Sequence, residues 1–414
     1  MKAQILTHLN NPTQLEKLYR QDKSGFKHAF NSIYPEIKDP MLAAYWNERL
    51  NYVSEESLWG TRNDLVVAII LAIVAGTIAK FPAFFSLNED FFYQRNIGFI
   101  VFPALTIYFA WRNKLAIAKI GFFAVLMIAA LVFINLLPDA KQSDTLILSC
   151  AHLILFLWSI LGISYVGGIQ NDSDKRLGFL KYNGDLVVMT TLILIAGAIM
   201  SGITIGLFSL IGFNIAEKYM QNVGVFGLAA APIIGTYLTQ VNPQLVGKVS
   251  PVIAKIFSPL VLVMLVVYIG AIVYAGKDPY NNREFLLIFN GLLVGVMAII
   301  FFSIAGTPAA ARSRAEIVML LALSLVTIVV NSIALSAIVF RISEWGLTPN
   351  RAAVLGSNIL ILINLLLVTV HLFKVIAKKS ELAAVAKSIG WYLPVYAIWT
   401  IIVTFLFPFL FGFK

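Results

Sequence analysis

The chain has 414 residues, of which 59% are hydrophobic and only 13% charged, against about 25% charged in a soluble protein. That balance excludes an ordinary water-soluble globular protein and makes a bilayer the solvent for most of the chain. The net charge of +10 then reads as Lys and Arg held in loops on the cytoplasmic side, not as a nucleic-acid surface.

Residues 1–64 are polar, and the first ten carry no apolar core, so no cleavable signal peptide is expected. This stretch reads as a small helical module. Asn11-Pro12 is a cap followed by a first-turn proline, with Leu15, Leu18 and Tyr19 as the stripe behind it. Ser24 is expected to cap a second helix carrying Phe26, Phe30 and Ile33. Asp39-Pro40 repeats the start signal ahead of Leu42, Tyr45, Trp46 and Leu50. About sixty residues bury little core alone. The module is therefore expected to pack on the membrane domain or to lie in the interface, where Tyr45, Trp46 and Tyr52 are at ease.

Residues 65–414 form the second domain, and the expectation is an all-α, polytopic transmembrane helical bundle. Apolar stretches of roughly bilayer-spanning length fall at about 65–87, 97–111, 115–137, 144–166, 184–212, 222–240, 256–275, 284–305, 315–340, 353–373 and 389–412, about eleven spans. The second is short enough to be a half-helix partner of the third. With the N-terminus inside, the inside loops hold thirteen Lys and Arg and the outside loops eight, with eight more in residues 1–64. The bias predicts a cytoplasmic N-terminus and a periplasmic or exterior C-terminus. Small-residue ridges at Gly202/Gly206, Gly291/Gly295 and Gly227/Ala231/Gly235 are expected to seat close helix contacts, with Pro232 as an alternative kink in the sixth span. No internal repeat of the kind found in many secondary transporters is visible.

Polar groups inside spans are costly and each needs a reason. His152, Asn290, Asn331 and Asn358 all fall about 9–13 Å from the outer ends of their spans at about 1.5 Å per residue. Asn364 is deeper. On the ninth span Ser324, Thr327 and Asn331 share one face. Two readings stay open: a polar layer lining a cavity, or interhelical hydrogen bonds that hold the bundle. His152 titrates near neutral pH, as proton-coupled carriers require. His371 lies beside Lys374 at the inner end of span ten and reads as interfacial.

The loop Arg341-Ile-Ser-Glu344-Trp-Gly-Leu-Thr-Pro-Asn-Arg351 is the second candidate. Trp345-Gly346 ends one helix and Thr348-Pro349 starts the next. Arg341, Glu344 and Arg351 converge there, either as a salt-bridged hairpin in which Glu344 pairs with an arginine, or as an anion site. Arg312 and Arg314, beside the inner Gly306-Thr307-Pro308 loop, mark orientation, and Arg312 can pair with Glu316. With one cysteine, Cys150, and four histidines, neither a disulfide nor a conventional zinc centre is expected. No P-loop, GxSxG, HExxH or CxxC is present, and no cofactor is implied.

Two stretches carry a resemblance: Asn11-Pro-Thr-Gln-Leu-Glu-Lys-Leu-Tyr-Arg20 through Trp46-Asn-Glu-Arg-Leu-Asn-Tyr52, and the Arg341–Arg351 loop continuing to Asn364. Together they resemble the bacterial membrane proteins grouped as domain of unknown function 4153, whose "YGLTPNR"-like segment stands here with Trp345 in place of tyrosine. The resemblance implies a multi-pass protein of the bacterial inner membrane. It implies no activity and assigns no site. The sequence is read as a permease or carrier for a small solute or lipid-like molecule, with membrane lipid as its partner and no nucleic acid. The alternatives are a non-transporting scaffold or assembly factor and a membrane-embedded enzyme acting on lipid. The candidate binding residues are His152, Asn290, Asn331, Asn358, Arg341, Glu344 and Arg351.

Overall fold

The computed structural model describes residues 1–9, 11–37, 41–51, 62–139, 143–169, 172–211, 213–243, 247, 249–275, 283–306 and 312–414. The expected start at Asp39-Pro40, the Tyr52 anchor and most of the Gly306-Thr307-Pro308 loop lie outside the described residues. Among those described, every regular element is helical. The chain divides into two units, Met1–Gly60 and Thr61–Lys414.

The first unit holds α1 (Lys2–Thr7), α2 (Pro12–Gln21), α3 (Lys23–Ile33), a 3-10 turn (Tyr34–Glu36) and α4 (Met41–Asn51). The Asn11 side chain accepts from the Gln14 amide at 3.2 Å, the expected cap. Asp22 rather than Ser24 caps α3, accepting from the Gly25 amide at 2.8 Å. A carboxylate at the helix start both takes an orphan amide and meets the positive end of the dipole. Leu15, Phe26, Phe30, Ile33, Trp46 and Leu50 form one core, with Tyr19, Phe26 and Trp46 in edge and tilted ring contacts. Trp46 is thus a core residue of the module, while Tyr45 is exposed.

The second unit contains α5 (Arg62–Ala79), α6 (Phe81–Phe85), α7 (Glu89–Arg112), α8 (Ile117–Leu136), α9 (Asp144–Val166) and α10 (Ser173–Leu210). It continues with α11 (Ala216–Tyr219), a π-turn (Met220–Gly224), α12 (Val225–Val241), α13 (Val249–Ala275), α14 (Arg283–Gly306), α15 (Arg314–Trp345), α16 (Pro349–Ile376), α17 (Leu382–Ile401), a second π-turn (Ile402–Leu406) and α18 (Phe407–Leu410). Among the described residues eight helices are long and apolar enough to cross a membrane, and 63–79 and 255–270 are shorter apolar helices. The chain is a multi-pass integral membrane protein. The expected half-helix at 97–111 is instead the C-terminal part of the continuous 24-residue α7. Asn88 caps α7 through the Phe91 amide at 2.9 Å, and its polar first turns hid its length.

Arg95 explains those polar turns. Only 1% exposed, it reaches from α7 to the end of α8. Its Nη1 donates to the carbonyls of Ile134 (2.6 Å) and Leu137 (3.1 Å), and its Nη2 pairs with Asp139 at 3.3 Å. The last carbonyls of a helix have no intrahelical donor, and a guanidinium supplies two at once. Asn96 and Asn135 exchange amide hydrogen bonds at 3.0 and 2.8 Å beside it.

Three sets of contacts fix the directions of the helices. Asn113, after α7, donates to the carbonyls of Ser164 and Tyr165 at the end of α9 at 2.9 and 3.0 Å. At the start of α9, the Thr145 amide donates to Lys414 at 2.9 Å, and the Ser143 hydroxyl donates to Phe413 at 3.0 Å. Arg112 donates to Gln240 near the end of α12 at 3.0 Å. The ends of α7, α9 and α12 therefore share one face, and the chain terminus lies at the other.

The small-residue ridges do not behave as expected. Nothing lies within 4 Å of where a Cβ would stand on Gly202, Gly206, Gly227, Gly291 or Gly295. Of the ridge glycines only Gly235 seats a neighbour, the Thr190 hydroxyl 3.0 Å from where its Cβ would stand, beside the buried Ala231. The C-terminal half of α10 presents Ile195, Ile199, Ile203 and Leu207 outward, and in a bilayer acyl chains cover such a face without cost. Close approaches occur instead at Gly356, against Trp399, and at Gly390, where a Cβ would stand 2.5 Å from the Ser173 carbonyl oxygen.

Two outcomes test this account. Arg95→Ala should cost about 2–4 kcal/mol of stability in detergent, because it strips donors from buried carbonyls. Asp139→Ala, whose side chain is largely exposed, should cost under about 1 kcal/mol; equal losses in chemical denaturation would refute the capping role. In the first unit, the Arg20 hydrogen bond, with the Arg49 charge, holds the Glu16 carboxyl below the usual carboxylate range. A depressed folded-state value adds stability above the unfolded value, which is lost as pH falls through the folded one. Protection factors of the α2 amides, corrected for intrinsic exchange, should fall below about pH 4, and Glu16→Gln should flatten that dependence.

Candidate functional site

The main candidate site is a cavity of about 430 Å³ walled by α9, α10, α14, α16 and α17. Each helix contributes one face: His152, Leu155 and Ser159 from α9, Leu180, Asn183 and Val187 from α10, and Val294, Met297, Ala298 and Phe301 from α14. These are 3-and-4 spacings, so each wall is a single helical stripe. Leu155, Val187 and Val294 are also exposed, so the cavity is open along its α9, α10 and α14 walls and not sealed inside the bundle.

The polar groups of the walls are mostly bound to one another. Trp158 Nε1 donates to Asn183 Oδ1 at 2.9 Å, and Asn183 Nδ2 donates to the Phe179 carbonyl at 2.6 Å. Trp399 Nε1 donates to Ser357 Oγ at 3.0 Å, and the Trp399 ring lies where a Cβ on Gly356 would be, 2.1 Å away. Asn364 Nδ2 donates to the Tyr396 hydroxyl at 3.0 Å. Satisfied in this way, these groups leave an apolar lining. The His152 ring is the exception. Its Nδ1 lies 2.9 Å from the Leu148 carbonyl. A carbonyl only accepts, so Nδ1 carries the proton and the neutral ring keeps an acceptor lone pair on Nε2.

Of the four residues expected at one depth, the structure brings two together. Asn331 and Asn358 are fully buried, and Asn331 Nδ2 donates to the Asn358 carbonyl at 3.1 Å between α15 and α16. His152 lines the cavity. Asn290 lies one turn before Val294 on the α14 stripe and outside the lining. Asn331 Oδ1, Asn358 Nδ2 and Asn290 Oδ1 have no hydrogen-bond partner among the described residues. On the Ser324 face of α15, Thr369 Oγ1 of α16 donates to Ser324 Oγ at 3.0 Å.

The α15–α16 hairpin is not built on a salt bridge. Gly346 ends α15 at φ +77, and Thr348 caps α16 by accepting from the Arg351 amide at 3.3 Å. Arg351 Nη1 donates to the carbonyls of Trp345 and Gly346 at 2.9 and 2.6 Å. The guanidinium groups of Arg341 and Arg351 stand 5.2 and 5.7 Å from the Trp345 ring centroid. No ion pair among the described residues includes Glu344, so the expected pairing with Arg341 or Arg351 is absent. The last-turn carbonyls serve Arg351, and the Trp345 ring faces both cations. Glu316 likewise pairs with Lys255, while Arg312 donates to the Ser303 carbonyl; the expected Arg312–Glu316 pair is not made.

A narrower cleft of about 160 Å³ abuts the cavity and shares its Trp158, Ser159, Leu393 and Ala397 walls. It leads along Gly162, Ile163 and Val166 to Gly168 and Arg176, at the face where α9 ends and α10 begins. Pro394 has no N–H to give the Gly390 carbonyl one turn earlier. Arg176 Nη1 approaches that carbonyl at 3.5 Å. Pro408 likewise frees the Thr404 carbonyl, which accepts from Ser149 Oγ at 2.9 Å. Sequence reasoning passed over Arg176, Asn183, Tyr396 and Trp399. The usable signal was their place on the same helical stripes as the apolar wall residues. It also passed over Asp185 of α10, 7% exposed, whose Oδ1 has no hydrogen-bond partner among the described residues.

The chain matches no family model, no curated protein and no solved structure.

Trp345→Ala should lower the detergent melting temperature by several degrees, because both arginines lose their aromatic face. Glu344→Gln should leave melting unchanged within about a degree, the scale of a surface change. A larger loss from Glu344→Gln than from Trp345→Ala would restore the salt-bridged hairpin.

Proposed function

We propose that this protein is a bacterial inner-membrane carrier for a lipid-like molecule, with a cytoplasmic N-terminal unit, about eleven crossings and a periplasmic C-terminus. The observation that carries the reading is the cavity of about 430 Å³, open along α9, α10 and α14, a side that acyl chains cover once these helices cross a bilayer. Its volume lies in the range of small-molecule sites, about 300–1,000 Å³. Its apolar walls disfavour a strongly hydrated solute, which would exchange water for unpaired contacts. A membrane-soluble molecule reaches it from the side without crossing water. The His152 ring then offers the cavity one hydrogen-bonding group.

The topology rests on two supports. The Lys and Arg of the loops favour the N-terminal side as inside. The face shared by Arg112, Tyr165 and Gln240 is opposite the one that holds Lys414. α5, with Ala79 accepting from Tyr93 of early α7 at 2.9 Å, therefore starts at the face away from the terminus. That arrangement goes with an odd number of crossings. The likeness to the domain of unknown function 4153 proteins fits the same setting and adds no activity.

Photoreactive acyl lipids in reconstituted vesicles test the site. Expected labelling falls on Met297, Phe301 and Trp399 well above Ile199 and Leu207 of the lipid-facing α10. Ala298→Trp, which fills the cavity, should remove the excess and abolish protein-dependent transbilayer movement of a fluorescent lipid. Uniform labelling, or movement unaffected by Ala298→Trp, would sink the reading. Reporter fusions at both termini should report opposite sides.

A further inference from the structure

The cleft and the cavity share four walls, so they form one groove with two chemically different ends. Along α9 it runs from Val166 to His152, about 21 Å at about 1.5 Å per residue. That exceeds the hydrocarbon depth of one leaflet, about 15 Å. α10 and α17 run in the opposite sense beside it, from Arg176 to Val187 and from Leu393 to Thr400. The inner end is apolar apart from the paired groups and the His152 ring already described.

The mouth is cationic. Arg176 lines it. Lys119 Nζ donates to the Gly167 carbonyl at 2.7 Å and lies 3.0 Å from where a Cβ of Gly168, another lining residue, would stand. Two acids, Asp172 and Asp174, stand in the same turn of the chain. Asp172 is the cap of α10: it accepts from the Lys175 amide at 3.0 Å and pairs with the Lys175 ammonium at 3.5 Å. The Lys175 amide hydrogen bond holds its carboxyl below the usual range. Asp174 is exposed, and neither acid lines the cleft.

A cationic mouth at the membrane edge, continued by an apolar groove deeper than a leaflet, matches an amphiphile with an anionic head. Resting on the carrier reading above, we propose that the ligand is a phosphate-bearing lipid, with its phosphate at Arg176 and Lys119 and an acyl chain laid along α9 toward His152. A guanidinium and an ammonium are the two side chains suited to phosphate, one by its planar fork and one as a point charge. An acyl chain also accounts for the groove's second opening, between α9, α10 and α14, through which a chain can pass sideways into the bilayer. A free anion would use only the mouth, and a neutral lipid only the groove.

The full-length protein in detergent, titrated with defined lipids and read by native mass spectrometry, separates these cases. Phosphatidylglycerol should bind about tenfold more tightly than diacylglycerol or phosphatidylcholine, the scale of about 1.4 kcal/mol. Arg176→Gln should reduce that preference to about twofold or less, and Arg176→Lys should restore part of it. Ala397→Trp, in the shared wall, should weaken all three lipids while melting stays near wild type. Equal binding of the three lipids would overturn the anionic-head proposal and leave the carrier reading standing. Phosphatidylglycerol binding indifferent to Ala397→Trp would place the lipid on the outer surface and overturn the proposal. Inorganic phosphate at millimolar concentration stabilising the protein as well as phosphatidylglycerol does, through Arg176, would make the mouth an anion site and overturn it too. No lipid bound by any form would remove both the proposal and the carrier reading.

Discussion

Inside a bilayer a peptide group has no water to bond, so each carbonyl left without its helical donor needs another one. Much of the tertiary structure of the second unit follows from how those carbonyls are served. Arg95 serves the end of α8. Asn113 serves the end of α9. Ser149 serves the carbonyl freed by Pro408, and Arg176 approaches the one freed by Pro394. In each case the donor comes from a different helix, so repairing the backbone also sets which helices are neighbours. Lipid supplies little hydrophobic force between helices, which gives these polar contacts a larger share of the specificity.

The same constraint shapes the groove. Trp158, Asn183, Trp399, Ser357, Tyr396 and Asn364 could have made a polar chamber. They are bonded in pairs across α9–α10 and α16–α17 instead. Polar side chains consumed in this way act as structure, and the space between them is apolar. What keeps the space open is the bulk of Trp399 over Gly356, the break at Pro394 and the tight seat of Gly390 on α10. The cavity is thus a consequence of packing large rings against small residues at a few points, while the Gly202/Gly206 and Gly291/Gly295 ridges face outward and the C-terminal half of α10 is exposed.

Proton chemistry at His152 is constrained by the same logic. Its Nδ1 proton is committed to Leu148, so Nε2 is the nitrogen left to accept from a ligand. Asp185 stands apart from that site, near Tyr165 and Lys181, and the groove does not include it.

Composition alone determined the class: long apolar stretches leave helices as the regular solution, and caps such as Asn11, Thr348 and Gly346 marked their ends because capping is local chemistry. Polarity within a stretch was legible as a cost, which is why His152, Asn331 and Asn358 stood out. Their partners were not legible, because a hydrogen bond between helices depends on rotation and depth that neither period nor spacing sets. Glu344 shows the limit most clearly. Two arginines nearby in sequence predicted an ion pair, and the folded hairpin set both against the Trp345 ring, with Arg351 also on the last-turn carbonyls. The glycine ridges show it from the other side, since a small-residue spacing permits close packing but does not supply a neighbour. Span-forming segments and their ends belonged to the sequence; which faces meet, and therefore where a groove lies, was decided only when α9, α10, α14, α16 and α17 packed together.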